Sequence, residues 1–394
     1  MSVRPSNPHL FSALRLINPK WIYEEQGSRD LRLDWLRGYA VMAMVIDHIG
    51  DKSWLYKFTG GDEFFLSAAE AFVFISGMIV GVVYGRVLQK QGLGAASRKA
   101  FARAKTLYKL TVVMTILFIA VSVADELQWT EWIDLSHPVK FVFDIFTLRR
   151  TFMYVDIPLM YTVFMLLAPV GFFFLRGGRK WMMTGLGISW AVWLAFQFPE
   201  VQTGVKIAIQ YNWTFKLPAW QLLFFNAMAI GYHRDYLAER VKSMRWQTRG
   251  IGLLIAISVF VFLTVFFESE GAVLKGMLTQ EQQEYWMNVI FTKTWLGAGR
   301  LVAAAVLLPA AFAAITICWK PVYAFTKWIT LLGANSLYAY TMHLMVILIF
   351  TAVIPFLPFY WEYEAMIDTG VQVATIFAIY WMIRTEFLFH TVAR

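Results

Sequence analysis

The chain has too few cysteines for a disulfide and too few charges for a soluble surface. Its one cysteine, Cys318, excludes an internal disulfide and a cysteine-rich metal site. Only 15% of its residues are charged while 59% are hydrophobic, against the roughly 25% charged of soluble domains. No His/Asp/Glu spacing forms a convincing metal site, and the glycine-containing stretch 92–97 lacks the third glycine and the preceding strand of a dinucleotide fingerprint. There is no internal repeat or low-complexity tract. The first 30 residues have no apolar core of a cleavable signal peptide and are interrupted by Pro5, Pro8 and Pro19.

What the chain does have is long apolar runs, rich in Phe and Trp. Runs near 20 residues read as transmembrane helices. We expect about ten, near 33–51, 64–85, 106–124, 151–175, 181–198, 218–233, 250–268, 299–319, 328–354 and 366–387. The predicted fold is an all-α polytopic membrane bundle: a tail over 1–32, one transmembrane domain over 33–387, and a tail over 388–394. The connections 125–150, 199–217 and 269–298 leave room for short amphipathic or re-entrant pieces.

Lysine and arginine alternate in density from loop to loop. With the N-terminus inside, inner segments carry 24 and outer segments ten, so both termini are predicted on the cytoplasmic side. The formal charge of +9 therefore reads as loop charge facing a membrane surface, not as a nucleic-acid footprint.

Arg37 and His48 lie eleven positions apart on the first apolar helix. That is close to three turns, so both face one side about 16 Å apart. Ionisable groups inside a membrane span are costly and point to function. His48, toward the outer face, is a candidate general base. A histidine bonded between helices is the structural alternative. Glu70, in the otherwise apolar Ser67–Gly77 stretch, is predicted at a similar depth. It could hold the imidazole as the orienting acid of a triad does, or be a buried neutral carboxyl. Asp47 points about 100° away from His48 and is a weaker candidate for that role. Arg37 suits a phosphate or carboxylate, and also a one-turn pair with Asp34.

The segment 86–109 reads as a basic cytoplasmic loop, with Arg98, Lys99 and Arg103 as candidate contacts to a polyphosphate. Plain positive-inside charge explains the same residues. Ser76, with Ala68, Ala69, Ala71, Gly77 and Gly81, marks a small-residue face for close packing or for a thin ligand. Outside, Asp156, Arg149, Arg150, Trp129, Trp132, Trp213 and Trp220 suit sugar binding or an interfacial belt. His343 falls mid-membrane in the ninth span, as a structural residue or a substrate contact. Pro158, Pro169, Pro309 and Pro355 are positions where helices could break.

The run Arg29-Asp30-x-Arg32-Leu33-Asp34-x-x-Arg37-Gly38, the following Asp47-His48, and Ala69-Glu70-Ala71-Phe72-Val73-Phe74-Ile75-Ser76-Gly77 resemble the osmoregulated periplasmic glucan C-protein family. That family belongs to the acyltransferase-3 type of membrane acyltransferases. The likeness is most specific over 29–85. It continues more loosely through Asp156–Tyr161, Leu166–Pro169 and Pro218–Leu222, and ends in a partial echo at Leu332–Leu337. The resemblance implies a multi-pass protein of the bacterial inner membrane that moves a succinyl group from succinyl-CoA to hydroxyls of a periplasmic glucan. It implies a catalytic His48 with Arg37 ten residues before it. Acyl-CoA, with acetyl-CoA as the alternative to succinyl-CoA, is then a substrate and not a resident cofactor. Acyl-CoA, the glucan and membrane lipids are the expected partners. Ser76, Tyr340 or Asn335 could donate to the oxyanion. A proton-coupled transporter or flippase for a glycan or lipid is the second function class that the same polar stripe allows.

The charge pattern makes the orientation testable. With Cys318 replaced, a cysteine placed at 92–96 should react with a membrane-impermeant thiol reagent only in inverted vesicles. One placed at 130 should react in intact spheroplasts. The reverse pattern would overturn the orientation.

Overall fold

The structure is a computed structural model, and it describes residues 19–24, 29–59, 65–124, 133, 136–204, 214–263, 265, 279–390 and 392. Trp129, Trp132 and Trp213 lie outside them. The described residues are helical, with no strand among them. In chain order the helices are α1 (Leu31–Ile49), α2 (Tyr56–Thr59), α3 (Ala68–Ala124), α4 (Pro138–Phe146), α5 (Asp156–Arg176), α6 (Gly178–Ala195), α7 (Pro199–Gly204), α8 (Leu217–Tyr232), α9 (Arg234–Ser243), α10 (Trp246–Leu263), α11 (Gln280–Tyr285), α12 (Ala298–Ile317), α13 (Trp319–Ala334), α14 (Ser336–Val353) and α15 (Glu364–Arg384). The short helices α4, α7 and α11 occupy the three long connections, as their lengths allow.

Among these, five helices are long and apolar enough to cross a membrane, and up to six if the bent pair α9–α10 is one span. The outward faces are apolar: Leu166, Leu167, Val170 and Phe173 on α5, and Ile251, Leu254, Ile255 and Phe260 on α10, are all exposed. Asp34, Glu70, Asp156, Arg300, His343, Asp368 and Gln372 are instead buried. Polar groups inside and hydrocarbon outside is the arrangement a bilayer solvent demands.

Two helix groups meet along one seam. α3, α5, α6 and α8 pack together, and α1 packs with α13, α14 and α15. α1 and α14 also contact α3, which joins the groups. Small residues set the closest crossings. A side chain at Gly77 or Gly81 of α3 would run into the Phe224 or Met228 carbonyl of α8, and one at Gly231 of α8 into the Met78 carbonyl. Gly38 of α1 and Gly333 of α13 meet in the same way, each against the other helix's backbone. In a membrane such close backbone contact supplies the attraction that apolar burial cannot.

The charged opening of α1 is a clamp. Asp30 caps the helix by accepting from the Arg32 amide at 3.1 Å, and pairs with the Arg32 guanidinium at 2.7 Å. Arg32 also donates to the Thr316 hydroxyl at 3.0 Å and lies over the rings of Tyr23 and Phe312. The Trp35 indole donates to Thr326 at 2.8 Å. Thr326 bonds back to the Val322 carbonyl at 2.5 Å, and α13 bends there, as such back-bonding favours.

Three expectations are corrected. The segment 86–109 is helical on both sides of Gly92, whose φ of 82° supplies the break. Residues 93–109 are dominated by Ala, Leu, Lys and Arg, good helix formers, and Ala96, Ala100 and Ala104 form a buried stripe at helical spacing. The span 328–354 is interrupted at Asn335, where α13 ends and α14 begins. Pro169 and Pro309, by contrast, sit inside unbroken helices.

The Gly38–Gly333 crossing generates a stability test. Gly333→Val should lower the unfolding temperature in detergent, since overpacking costs about 1–3 kcal/mol and here backbone must move. Gly370 of α15 has open space where a side chain would go, so Gly370→Ala should be neutral or raise it by up to about 1 kcal/mol. Equal effects at the two sites would refute this account of the crossing.

Candidate functional site

His48 is three residues from the C-terminal end of α1, counting the Gly50 cap, and is partly exposed. That end is tied down by α15. The Gln372 amide donates to the Ile46 and Gly50 carbonyls at 2.9 and 3.0 Å, and Gly50 packs so closely on Asp368 that a side chain there would overlap it. The carbonyls two residues before and two residues after His48 are thus both held by one amide.

The imidazole looks across the seam at α14. Its Nδ1 is 3.1 Å from Nε2 of His343, which is fully buried. The His48 ring also lies 4.5 Å from the Tyr154 ring. Tyr340, one turn before His343, packs edge-on against the His343 ring at 4.6 Å and donates to the Tyr154 carbonyl at 2.7 Å. Asp156 begins α5 two residues later and is buried. Four segments that are distant in sequence therefore converge at the outer end of α1.

Glu70 does not orient the imidazole. Its carboxylate accepts from the Ser67 amide at 2.9 Å and hydroxyl at 2.5 Å, and from the Arg300 guanidinium of α12 at 2.5 Å. Arg300 is itself buried and reaches the Phe291 carbonyl at 3.3 Å. A buried guanidinium requires a counter-charge more strongly than a neutral imidazole does, so Arg300 takes the carboxylate. The Thr59 hydroxyl bonds Asp47 at 2.5 Å, on the face turned from His48.

The loop following α11 was read as outer charge alone, yet it faces this site. Lys293 lies within electrostatic reach of His48, Glu70 and Asp156. Its backbone is fixed by side chains from two helices. The Trp220 indole donates to the Lys293 carbonyl at 3.1 Å, Gln197 to Trp295 at 2.9 Å and Trp193 to Leu296 at 2.9 Å. Trp220, expected near the outer face among sugar-binding or belt residues, is fully buried in this support. Arg149 and Arg150 lie over Phe143 and Phe141 of α4.

At the opposite end of α1, Asp34 accepts from both Arg29 and Arg37. The Arg29 Nη2 and Arg37 Nη2 distances are 3.0 and 3.1 Å, and Arg29 Nε makes a further bond. Arg37 Nε donates to the Gly333 carbonyl at 2.7 Å. The structural pairing of Arg37 with Asp34 is therefore present, with Arg29 as a second partner. Arg37 also lies in electrostatic reach of Arg103 and Tyr161. Arg103 is partly buried, while Arg98 and Lys99 are exposed on the same limb of α3. Between the two ends, Ser76 bonds the Tyr161 side chain, whose hydroxyl donates to the Phe72 carbonyl at 3.0 Å. Phe72 in turn stacks on Tyr340. A polar column thus runs along the seam from Arg103 and Arg37, past Tyr161 and Ser76, to Tyr340, His343 and His48.

Two oxyanion-donor candidates are engaged elsewhere. Tyr340 is committed to Tyr154, and the Asn335 amide donates to the Leu331 carbonyl at 3.1 Å. Among the described residues no group of three or more His, Cys, Asp or Glu side chains is arranged to hold a metal ion.

The residues missed by sequence reasoning are Arg300, Lys293 and Tyr154. Arg300 carried a signal, being an ionisable residue at the edge of an apolar run. Lys293 and Tyr154 carried none, because only the folded connections bring them to His48.

No curated protein and no solved structure matches the chain. A family model described as OpgC protein matches residues 29–387. That range begins with the clamp of α1, takes in both histidines and ends beyond α15, so the chain belongs to the OpgC protein family.

Proposed function

We propose that this protein is a membrane O-acyltransferase that modifies a glucan. The acyl group comes from acyl-CoA on the cytoplasmic side, the hydroxyl acceptor lies outside, and His48 is the general base. Family membership points to an acyltransferase acting on a glucan. The observation that carries the mechanism is the polar column along α1, with a guanidinium at one end and a partly exposed imidazole at the other.

In this reading the nucleotide rests at the inner end, near Arg103 and Arg37, with the exposed Arg98 and Lys99 beside them. Asp34 is shared by Arg29 and Arg37 and fixes the guanidinium that meets the donor. The pantetheine arm follows the seam past Ser76 and brings the thioester toward His48. The acceptor hydroxyl arrives from outside, where Asp156 and the Arg149–Arg150 turn suit a sugar and His343 lines the inner wall. His48 takes the hydroxyl proton, and the oxygen attacks the thioester carbonyl. The tetrahedral oxyanion collapses, the C–S bond breaks, and the imidazolium returns the proton to the CoA thiolate. Lys293 suits a donor whose acyl chain ends in a carboxylate, which favours succinyl over acetyl. Glu70 serves the site through Arg300 by holding the loop that bears Lys293. About ten crossings with both termini inside a bacterial inner membrane agree with this direction of transfer.

Purified protein in vesicles should release CoA from succinyl-CoA only when glucan is present, and His48→Ala should abolish release without changing the unfolding temperature. Glucan transport without CoA release would support the transporter reading instead. His48→Ala retaining wild-type release would remove His48 from the mechanism.

Arg37→Ala separates donor binding from structure. Asp34 keeps Arg29 as partner, so the variant should fold. Loss of a charge-assisted contact costs about 1.5–3 kcal/mol, so acyl-CoA affinity should drop roughly 10- to 150-fold. His48→Ala should bind acyl-CoA nearly as wild type does. Unchanged affinity in Arg37→Ala would leave Arg37 with its structural bonds to Asp34 and Gly333 alone.

A further inference from the structure

His48 and His343 differ in access. His48 is partly exposed, whereas His343 is sealed within the bundle. Their rings are 5.3 Å apart and inclined by 30°, with Nδ1 of His48 facing Nε2 of His343 at 3.1 Å. At that distance one nitrogen carries a proton and the other a lone pair, and the far side of His343 decides which.

That far side is Nδ1, which is buried with no side chain bonded to it. The acceptors it faces are backbone carbonyls of its own helix, at Ala339 and Tyr340. A lone pair aimed at carbonyl oxygens repels them, while an N–H aimed at them is attracted. The proton of a neutral His343 therefore sits on Nδ1, and Nε2 is left as an acceptor. His48 must then carry its own proton on Nδ1 and donate it to His343. This leaves Nε2 of His48 as the bare lone pair.

We propose that His343 is the positioning residue for His48. It fixes the tautomer in which Nε2 of His48 is the proton acceptor, in the way a carboxylate orients the histidine of a triad. The proposal rests on reading His48 as the base. The chain achieves this orientation without a charge. When His48 takes a proton at Nε2, its Nδ1–H still donates to His343, so the hydrogen bond persists and strengthens as the imidazolium forms. Tyr340, held by its bond to the Tyr154 carbonyl, packs on the His343 ring and keeps its plane in place. Gln372 does the same for the backbone on either side of His48.

The test uses the full-length protein in lipid with 15N-labelled histidine. The chain has six histidines, and the His48 signals are assigned by their loss in His48→Ala. Nitrogen shifts separate protonated from bare ring nitrogens. At a pH where the imidazole is neutral, the proposal requires a protonated Nδ1 and a bare Nε2 at His48. Two variants of matched size then separate an acceptor from a space-filler. His343→Gln keeps an oxygen near the Nε2 position, and His343→Met does not.

His343→Gln should retain the wild-type tautomer and stay within about tenfold of wild-type kcat. His343→Met should show mixed tautomers, with kcat reduced roughly 10²- to 10⁴-fold and little change in KM. Equal losses in the two variants, or a His48 spectrum that is the same in His343→Met as in wild type, would overturn the proposal. So would a protonated Nε2 in the wild-type protein, a measurement that needs no variant to fold. If the tautomer is as stated but no acyl-CoA donor releases CoA in the presence of glucan, the acyltransferase reading fails and the orientation of His48 stands.

Discussion

A charge taken out of water has to find a partner, and that requirement decides which helices touch in this molecule. Glu70 and Arg300 lie far apart in sequence, and both are buried. Removing either would leave the other uncompensated in a low-dielectric interior. Their pairing joins α3 to α12 and fixes the Phe291 end of the loop that carries Lys293. The carboxylate best placed by depth to serve His48 is thereby used up. A neutral histidine takes its place, since two neutral rings cost far less to bury than an ion pair.

α1 carries the consequences from one end to the other. At its start, Asp30, Arg32, Asp34 and Arg37 are all partnered, and those partners anchor it to α12 and α13. At its end, Gln372 and Asp368 of α15 hold the turn that bears His48. Between them, Gly38 allows α13 to approach at backbone distance. The helix is rigid where it is charged and closely packed where it is small. His48 and Arg37 are thus held at a defined separation across the seam.

Much of the fold was legible in the chain. Apolar runs near 20 residues and the small-residue face of α3 follow from local rules about hydrocarbon length and helix contact, and the structure has helices in every predicted run. The interruption at Asn335 and the helical state of 93–109 were not legible. The first depends on a helix-end geometry that no local pattern signals. In the second, a high density of charge masked strong helix propensity. In the site, Arg37 and His48 stood out because ionisable residues in an apolar run are rare and their spacing puts them on one face. His343 stood out only as a lone histidine, equally consistent with a packing role.

The sequence by itself determined that this is a helical membrane protein whose first helix carries an arginine and a histidine on one side. Composition, run length and helical periodicity are properties of neighbouring residues, and they need no knowledge of the rest of the chain. Only the tertiary structure decided the pairings. It gave Glu70 to Arg300, His343 to His48, and Lys293 to the mouth of the site. These partners lie far apart in sequence. Buried polar groups choose among all partners within reach by charge and hydrogen-bond geometry, and reach is defined only once the helices have packed.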